Sequence, residues 1–170
     1  MDEAFIKKVQ PNSPEAEKSV IGSMLMDRDA IIEVADVLVK EDFYQNTNGI
    51  LYEAMVELYR EGKPVDLITL QNKLKEKQVP ESIQSLDYIR ELVEAVPTSA
   101  NAKQYAGIVR EKSILRKLIK VTEKITADCY LGKDEFSTIL EETEKDVFHL
   151  LQNASGREDF VPIRDVVLNT

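Results

Sequence analysis

Val96-Pro97-Thr98-Ser99-Ala100-Asn101, followed from Lys103 by a long uninterrupted helical pattern, is the stretch that decides the fold. Pro97 closes what precedes it. Beyond it, from about Ala100 to Leu131, there is no proline, and Gly107 is the single glycine. At 1.5 Å per residue such a helix is about 45 Å long. Gly132 is expected to stop it, and Asp134 to cap a second helix running to about Gln152. That helix carries Phe136, Ile139, Leu140, Val147, Leu150 and Leu151 on one face. The pair reads as an αα-hairpin.

The residues before Pro97 bury apolar surface differently. Ser13 is placed to cap a helix with Pro14 at its first position and Glu15 and Glu17 at the positive end of its dipole. Ala16, Val20, Ile21, Met24 and Leu25 form one apolar face. A second helix is expected over Asp29–Val39, with Phe43 and Tyr44 after it as core plugs. A third, over Asn48–Glu61, puts Ile50, Leu51, Ala54, Met55, Leu58 and Tyr59 at helical spacing. Gly62 and Pro64 end it. Asp66 caps a helix carrying Leu67, Leu70 and Leu74 to about Lys77, and Ser85 caps one carrying Leu86, Ile89, Leu92 and Val93. The short helices of this region, expected to number six, make a small all-α bundle. The fold class is therefore all-α: a helical-bundle head, a long αα-hairpin and the start of a linker helix. The expected divisions are a tail over 1–13, the head over 14–99, the hairpin over 100–152, and a linker with the start of a docking helix over 153–170.

Two helices cover each other on one side only. Ile108, Ile114, Leu115, Leu118, Ile119, Val121 and Ile125 span roughly 160° of the first arm, wider than the roughly 100° stripe of a surface helix. The excess must face the head, a partner or a second copy, and self-association or partner docking through the hairpin is expected. After Gln152 comes the polar run Asn153-Ala154-Ser155-Gly156-Arg157-Glu158-Asp159. An amphipathic pattern follows, with Ile163, Val166 and Val167 as its apolar positions. An apolar stripe on a tether suits a docking helix.

The net charge of -9 is unevenly spread. Residues 1–102 carry 11 Lys and Arg against 19 Asp and Glu, residues 103–133 carry 8 against 3, and residues 134–170 carry 3 against 9. An acidic head argues against a broad phosphate-binding surface. The basic middle is open to two readings: it meets nucleic acid, or it faces the acidic segment that follows. No apolar run approaches the roughly 20 residues that span a bilayer. Residues 1–10 lack a secretory h-region, and the single Cys129 cannot form an internal disulfide, so a cytoplasmic location is expected.

Signatures of catalysis are sparse. Neither Gly62-Lys63, with Glu57 five residues before it and Pro64 after it, nor Gly132-Lys133, with Ala127 and Asp134 in the same places, satisfies the P-loop pattern. The lone His149 reads as a surface or interface residue, and Cys129 as packing. One histidine and one cysteine are too few for a zinc site. The carboxylate pairs Glu15/Glu17, Glu41/Asp42 and Glu141/Glu142 read as caps and solvated faces. No catalytic, cofactor or metal residue is assigned.

Several blocks in order carry a family resemblance. They are Glu15-Ala16-Glu17 with Val20-Ile21-Gly22-Ser23-Met24-Leu25, then Phe43-Tyr44, and Ile50-Leu51-Tyr52-Glu53-Ala54-Met55 running into Leu58-Tyr59. Gly62-Lys63-Pro64-Val65-Asp66 with Thr69-Leu70 follows, then Val96-Pro97-Thr98-Ser99-Ala100-Asn101 with Tyr105-Ala106, Ile108-Val109, Lys112 and Leu115-Arg116. Together they resemble the N-terminal region of the bacterial replicative DNA helicase, the hexameric DnaB family. One departure is Asn48, where many members have His; Asn is expected to serve there as a helix cap.

The resemblance implies a non-catalytic collar domain. Its hairpins pair subunits into a dimer or a trimer of dimers, and the collar recruits the C-terminal domain of primase. A helicase loader and, through the full hexamer, DNA are further implied partners. ATP and Mg belong to a RecA-like motor domain beyond this stretch, which carries the ATP-binding, hydrolase and DNA-binding functions. On this reading Ile114, Leu115, Val121, Leu140 and Val147 lie between copies. Leu118, Ile119 and Ile125 contact another chain, with Glu15 and Tyr88 as docking residues on the head. Ile163, Val166 and Val167 dock the linker. Two alternatives stand beside it. One is a single-strand nucleic-acid module using Arg110, Lys112, Arg116, Lys117, Lys120 and Lys124; the other is the helicase-binding domain of primase, which resembles this fold.

Overall fold

The structure, a computed structural model, describes residues 9–132 and 134–155. Among them are seven α-helices and two single-turn 3-10 helices, and no strand. The helices are α1 (Pro14–Met26), α2 (Arg28–Ala35), α3 (Asn46–Arg60), α4 (Leu67–Glu76), α5 (Leu86–Glu94), α6 (Ala102–Leu131) and α7 (Phe136–Ala154). The 3-10 turns are Lys40–Asp42 and Ser99–Asn101. The head thus holds five α-helices rather than six. The described residues form two compact units, and the division falls inside α6, between Ser113 and Ile114.

Local chemistry sets most helix ends. Ser13 Oγ accepts from Ala16 N, Asp66 from Ile68 N and Thr69 N, and Ser85 Oγ from Tyr88 N. Gly62 and Gly132 follow α3 and α6 at φ 70° and 54°, the left-handed conformation that glycine adopts without a Cβ clash. Gly22 has a different task. A Cβ there would lie 2.2 Å from Leu92 O and 2.6 Å from Val96 Cγ2, so α1 and the end of α5 approach as closely as backbone permits.

One core joins the five head helices to the root of α6. Val20, Ile21 and Met24 of α1, Ile31 and Val34 of α2, Leu51 and Met55 of α3, Leu70 and Leu74 of α4, and Ile89 and Leu92 of α5 are buried in it. Ala102, Ala106 and Val109 complete it from α6. Along the outer edge of α3 and α4 runs an ion-pair ladder. Lys40 and Lys77 meet Glu53, Lys77 and Lys73 meet Glu57, and Lys73 and Lys63 meet Glu61.

Several expectations need correction. The second helix ends at Ala35 rather than near Val39, because Leu38 and Val39 pair elsewhere: Leu38 O accepts from Tyr52 Oη at 2.6 Å, and Val39 N donates to Asp42. Phe43 is a core plug, but Tyr44 is exposed. The third helix begins at Asn46, so Asn48 lies inside it and is buried rather than capping it. Glu135, not Asp134, precedes α7, and no side-chain hydrogen bond caps it. Cys129 is exposed rather than packed. Among the described residues, no helix is long and apolar enough to cross a membrane.

Candidate assembly and docking surface

Beyond Val109, α6 carries apolar side chains that the described residues do not fully cover. Ile114, Ile119, Val121 and Ile125 are half-buried. Leu115 and Leu118 are 43% and 42% exposed. On α7, Leu150 is buried and Ile139 and Val147 are half-buried, while Phe136 (78%), Leu140, Phe148 and Leu151 face solvent. Polar pairs tie the two helices together: Lys124 Nζ lies 2.6 Å from Asp146 and 3.7 Å from Glu142. The hydrogen bond to Asp146 holds the Lys124 ammonium above its usual pKa. Basic α6 therefore faces acidic α7 at Lys124. Covering a large apolar side chain is worth about 1.5–3 kcal/mol, so a stripe of this size is a strong driving force for association.

The candidate residues on the head are differently placed. Glu15 is exposed in the first turn of α1. Tyr88 is half-buried on α5, and its hydroxyl donates to Asn48 Oδ1 at 3.1 Å. Burial, then the nearby Glu17 charge, raises the Tyr88 pKa. Asn48 Nδ2 in turn donates to Glu17 Oε2 at 3.0 Å. Glu17, 1% exposed, also accepts from Tyr44 N at 2.7 Å and Gln45 N at 3.1 Å. It is thus a buried bracket for the start of α3, not a solvated dipole partner, and Tyr88 reports on that bracket. The linker candidates Ile163, Val166 and Val167 lie outside the described residues.

The family model described as the DnaB-like helicase N terminal domain matches residues 9–111. The chain belongs to this family. It is 35% identical, over all 170 residues, to the replicative DNA helicase DnaB of Geobacillus stearothermophilus, of which it spans 37%. It is 39% identical over 141 residues to DnaB of Pasteurella multocida, of which it spans 30%. Among solved structures, the N-terminal domain of the Mycobacterium tuberculosis DnaB helicase superposes with a TM-score of 0.79 at 31% identity, covering 83% of this chain and 99% of that one. The N-terminal domain of Helicobacter pylori DnaB, described with its interactions with primase, gives 0.58 at 27%, covering 68% of this chain and 90% of that domain.

In this DnaB-like domain one buried polar cluster escapes a reading of the sequence alone. Asp42, taken with Glu41 as a solvated pair, is fully buried. Its carboxylate accepts from Arg110 Nη1 at 3.1 Å on both oxygens, and from Ser113 Oγ at 2.6 Å. Arg110, a candidate for tracking a strand, is therefore engaged with the head. The available signal is that Asp42 sits against the buried Phe43. Glu17 gives a clearer one, because it precedes Val20, Ile21 and Met24 by three, four and seven residues and so shares their face.

Proposed function

We propose that this chain is the N-terminal collar domain of a hexameric replicative DNA helicase, assembling subunits and docking primase without catalysis of its own. The exposed apolar stripe of the hairpin carries the reading: Leu115, Leu118, Phe136, Leu140, Phe148 and Leu151 are exposed among the described residues. A second copy covers this stripe in a dimer, and dimers build a trimer of dimers. The Helicobacter pylori domain, described with its interactions with primase, supports primase as a partner; the family resemblance suggests its C-terminal domain, and the contact is assigned to Ile119 and Ile125 beside Leu118. A helicase loader uses the same collar, and ATP, Mg and DNA are handled by the motor domain of the full protein in the cytoplasm.

Sedimentation velocity on the chain, alone and with the C-terminal domain of a cognate primase, tests this reading. A dimer or larger species that binds primase is expected. A monomer that ignores primase overturns it. Added salt separates the nucleic-acid alternative, since phosphate binding weakens steeply with salt and an apolar interface does not.

A further inference from the structure

The head's apolar hold on α6 ends at Val109, the last α6 residue in the core. The next attachment is polar and centred on Asp42. Its fully buried carboxylate receives Arg110 and Ser113 from α6, and Val39 N at 2.9 Å from its own turn. Besides the Lys40–Glu53 ion pair, three contacts fasten that turn to α3. Tyr52 Oη donates to Leu38 O at 2.6 Å, the Phe43 and Tyr52 rings lie 5.2 Å apart, and Gly49 lets Lys40 O approach so closely that an added Cβ would lie 2.9 Å from it. Asp42 thus stands on a rigid platform and reaches α6 one turn beyond the last apolar contact. Ser113, its farthest partner, is the last residue of the head unit.

We propose that Asp42 is a positioning residue for the hairpin: it fixes residues 110–113 of α6 to the head, and association between copies requires that turn to be fixed. The second half rests on the assembly reading above; the first does not. A buried carboxylate suits the task. Charge-assisted hydrogen bonds to a guanidinium and a hydroxyl are directional, so they define one rotational setting of α6, where an apolar contact tolerates several.

The test uses the 170-residue chain with Asp42→Asn, Arg110→Gln and Arg110→Lys, read by amide hydrogen exchange and sedimentation equilibrium. In Asp42→Asn and Arg110→Gln, exchange over residues 110–117 is expected to rise about tenfold, with Val20–Met24 and Leu51–Met55 changing less than about threefold. Self-association is expected to weaken by about fivefold or more, and Arg110→Lys, which keeps the charge, to recover much of both. Arg110 is partly exposed, so its variants keep the test open if Asp42→Asn does not fold. Unchanged exchange at 110–117 overturns the fixing role, and an equal rise in α1 and α3 reduces Asp42 to a general stabiliser. Faster exchange with undiminished association overturns the link to assembly. A wild-type chain that stays monomeric overturns the assembly reading, and the exchange result then decides separately whether Asp42 holds the turn.

Discussion

Gly22→Ala offers the sharpest test of the head's packing. The added methyl would sit 2.2 Å from a backbone carbonyl, Leu92 O, and 2.6 Å from Val96 Cγ2. Ordinary carbon–oxygen contact begins near ~3.3 Å, so α1 and α5 must separate by about 1 Å. Overpacking costs about 1–3 kcal/mol, and an obstruction by backbone, which cannot change rotamer, belongs at the top of that range. The gain in helix propensity from glycine to alanine offsets about 1 kcal/mol. The net expectation is a loss of about 2 kcal/mol. Gly107→Ala is the matched control, because a Cβ there meets nothing within 4 Å and only the propensity gain remains, about 0.5–1 kcal/mol of stabilisation. Both glycines lie in the same compact unit, so urea unfolding followed by far-UV circular dichroism compares them in one transition. A Gly22→Ala variant as stable as the wild type, or two variants shifting together, would refute the close approach of α1 to α5.

The ion-pair ladder makes the head sensitive to both pH extremes. Hydrogen bonds from Lys63 and then Lys73 bring the Glu61 pKa down to about 2, and one from Lys40 lowers that of Glu53. Their stabilisation is present above the ordinary carboxylate range and is lost as pH falls toward 2. The hydrogen bond that Lys73 donates to Glu61 raises the Lys73 pKa; burial pulls Lys77 down, but the bonds it donates to Glu57 and Glu53 outweigh that. Burial pushes the Tyr52 hydroxyl up to about 12. These contributions are present below the ordinary values and fade as pH rises through the raised ones, so thermal melts at stepped pH should show losses on both flanks; a flat acid flank would contradict the ladder. Glu17→Gln puts an amide donor where Tyr44 N, Gln45 N and Asn48 Nδ2 all need acceptors, and should cost about 1–3 kcal/mol in urea unfolding; a neutral result would deny the buried bracket. Leu118→Asp and Leu140→Asp should each weaken self-association by about tenfold or more in sedimentation and leave head stability unchanged, and association at wild-type strength would move the interface elsewhere.

Periodicity reaches the long helix, the hairpin and most of the head, because those elements follow from local spacing, caps and glycine stops. Ser13, Asp66, Ser85, Gly62 and Gly132 act where the sequence places them. The segment from Leu38 to Asn48 is where local reading falls short. Its backbone groups are satisfied by distant side chains: Leu38 O by Tyr52, Tyr44 N and Gln45 N by Glu17, and Asp42 by Arg110 and Ser113. A window of neighbouring residues contains none of these partners. The differences at the end of α2 near Val39 and at the start of α3 near Asn48, and the two carboxylates taken as solvated, share this cause.

The head and the hairpin also differ in how fully their apolar side chains are covered. The head is internally complete, with a continuous apolar core and two buried carboxylates, Glu17 and Asp42, both hydrogen-bonded. Its exposed apolar residues include Ile32 and Ile68, and some exposed apolar side chains are ordinary for a protein surface. The hairpin is not complete. In α7 only Leu150 is buried, while Phe136, Leu140, Phe148 and Leu151 are exposed among the described residues. On the assembly proposed above, a second copy covers that face.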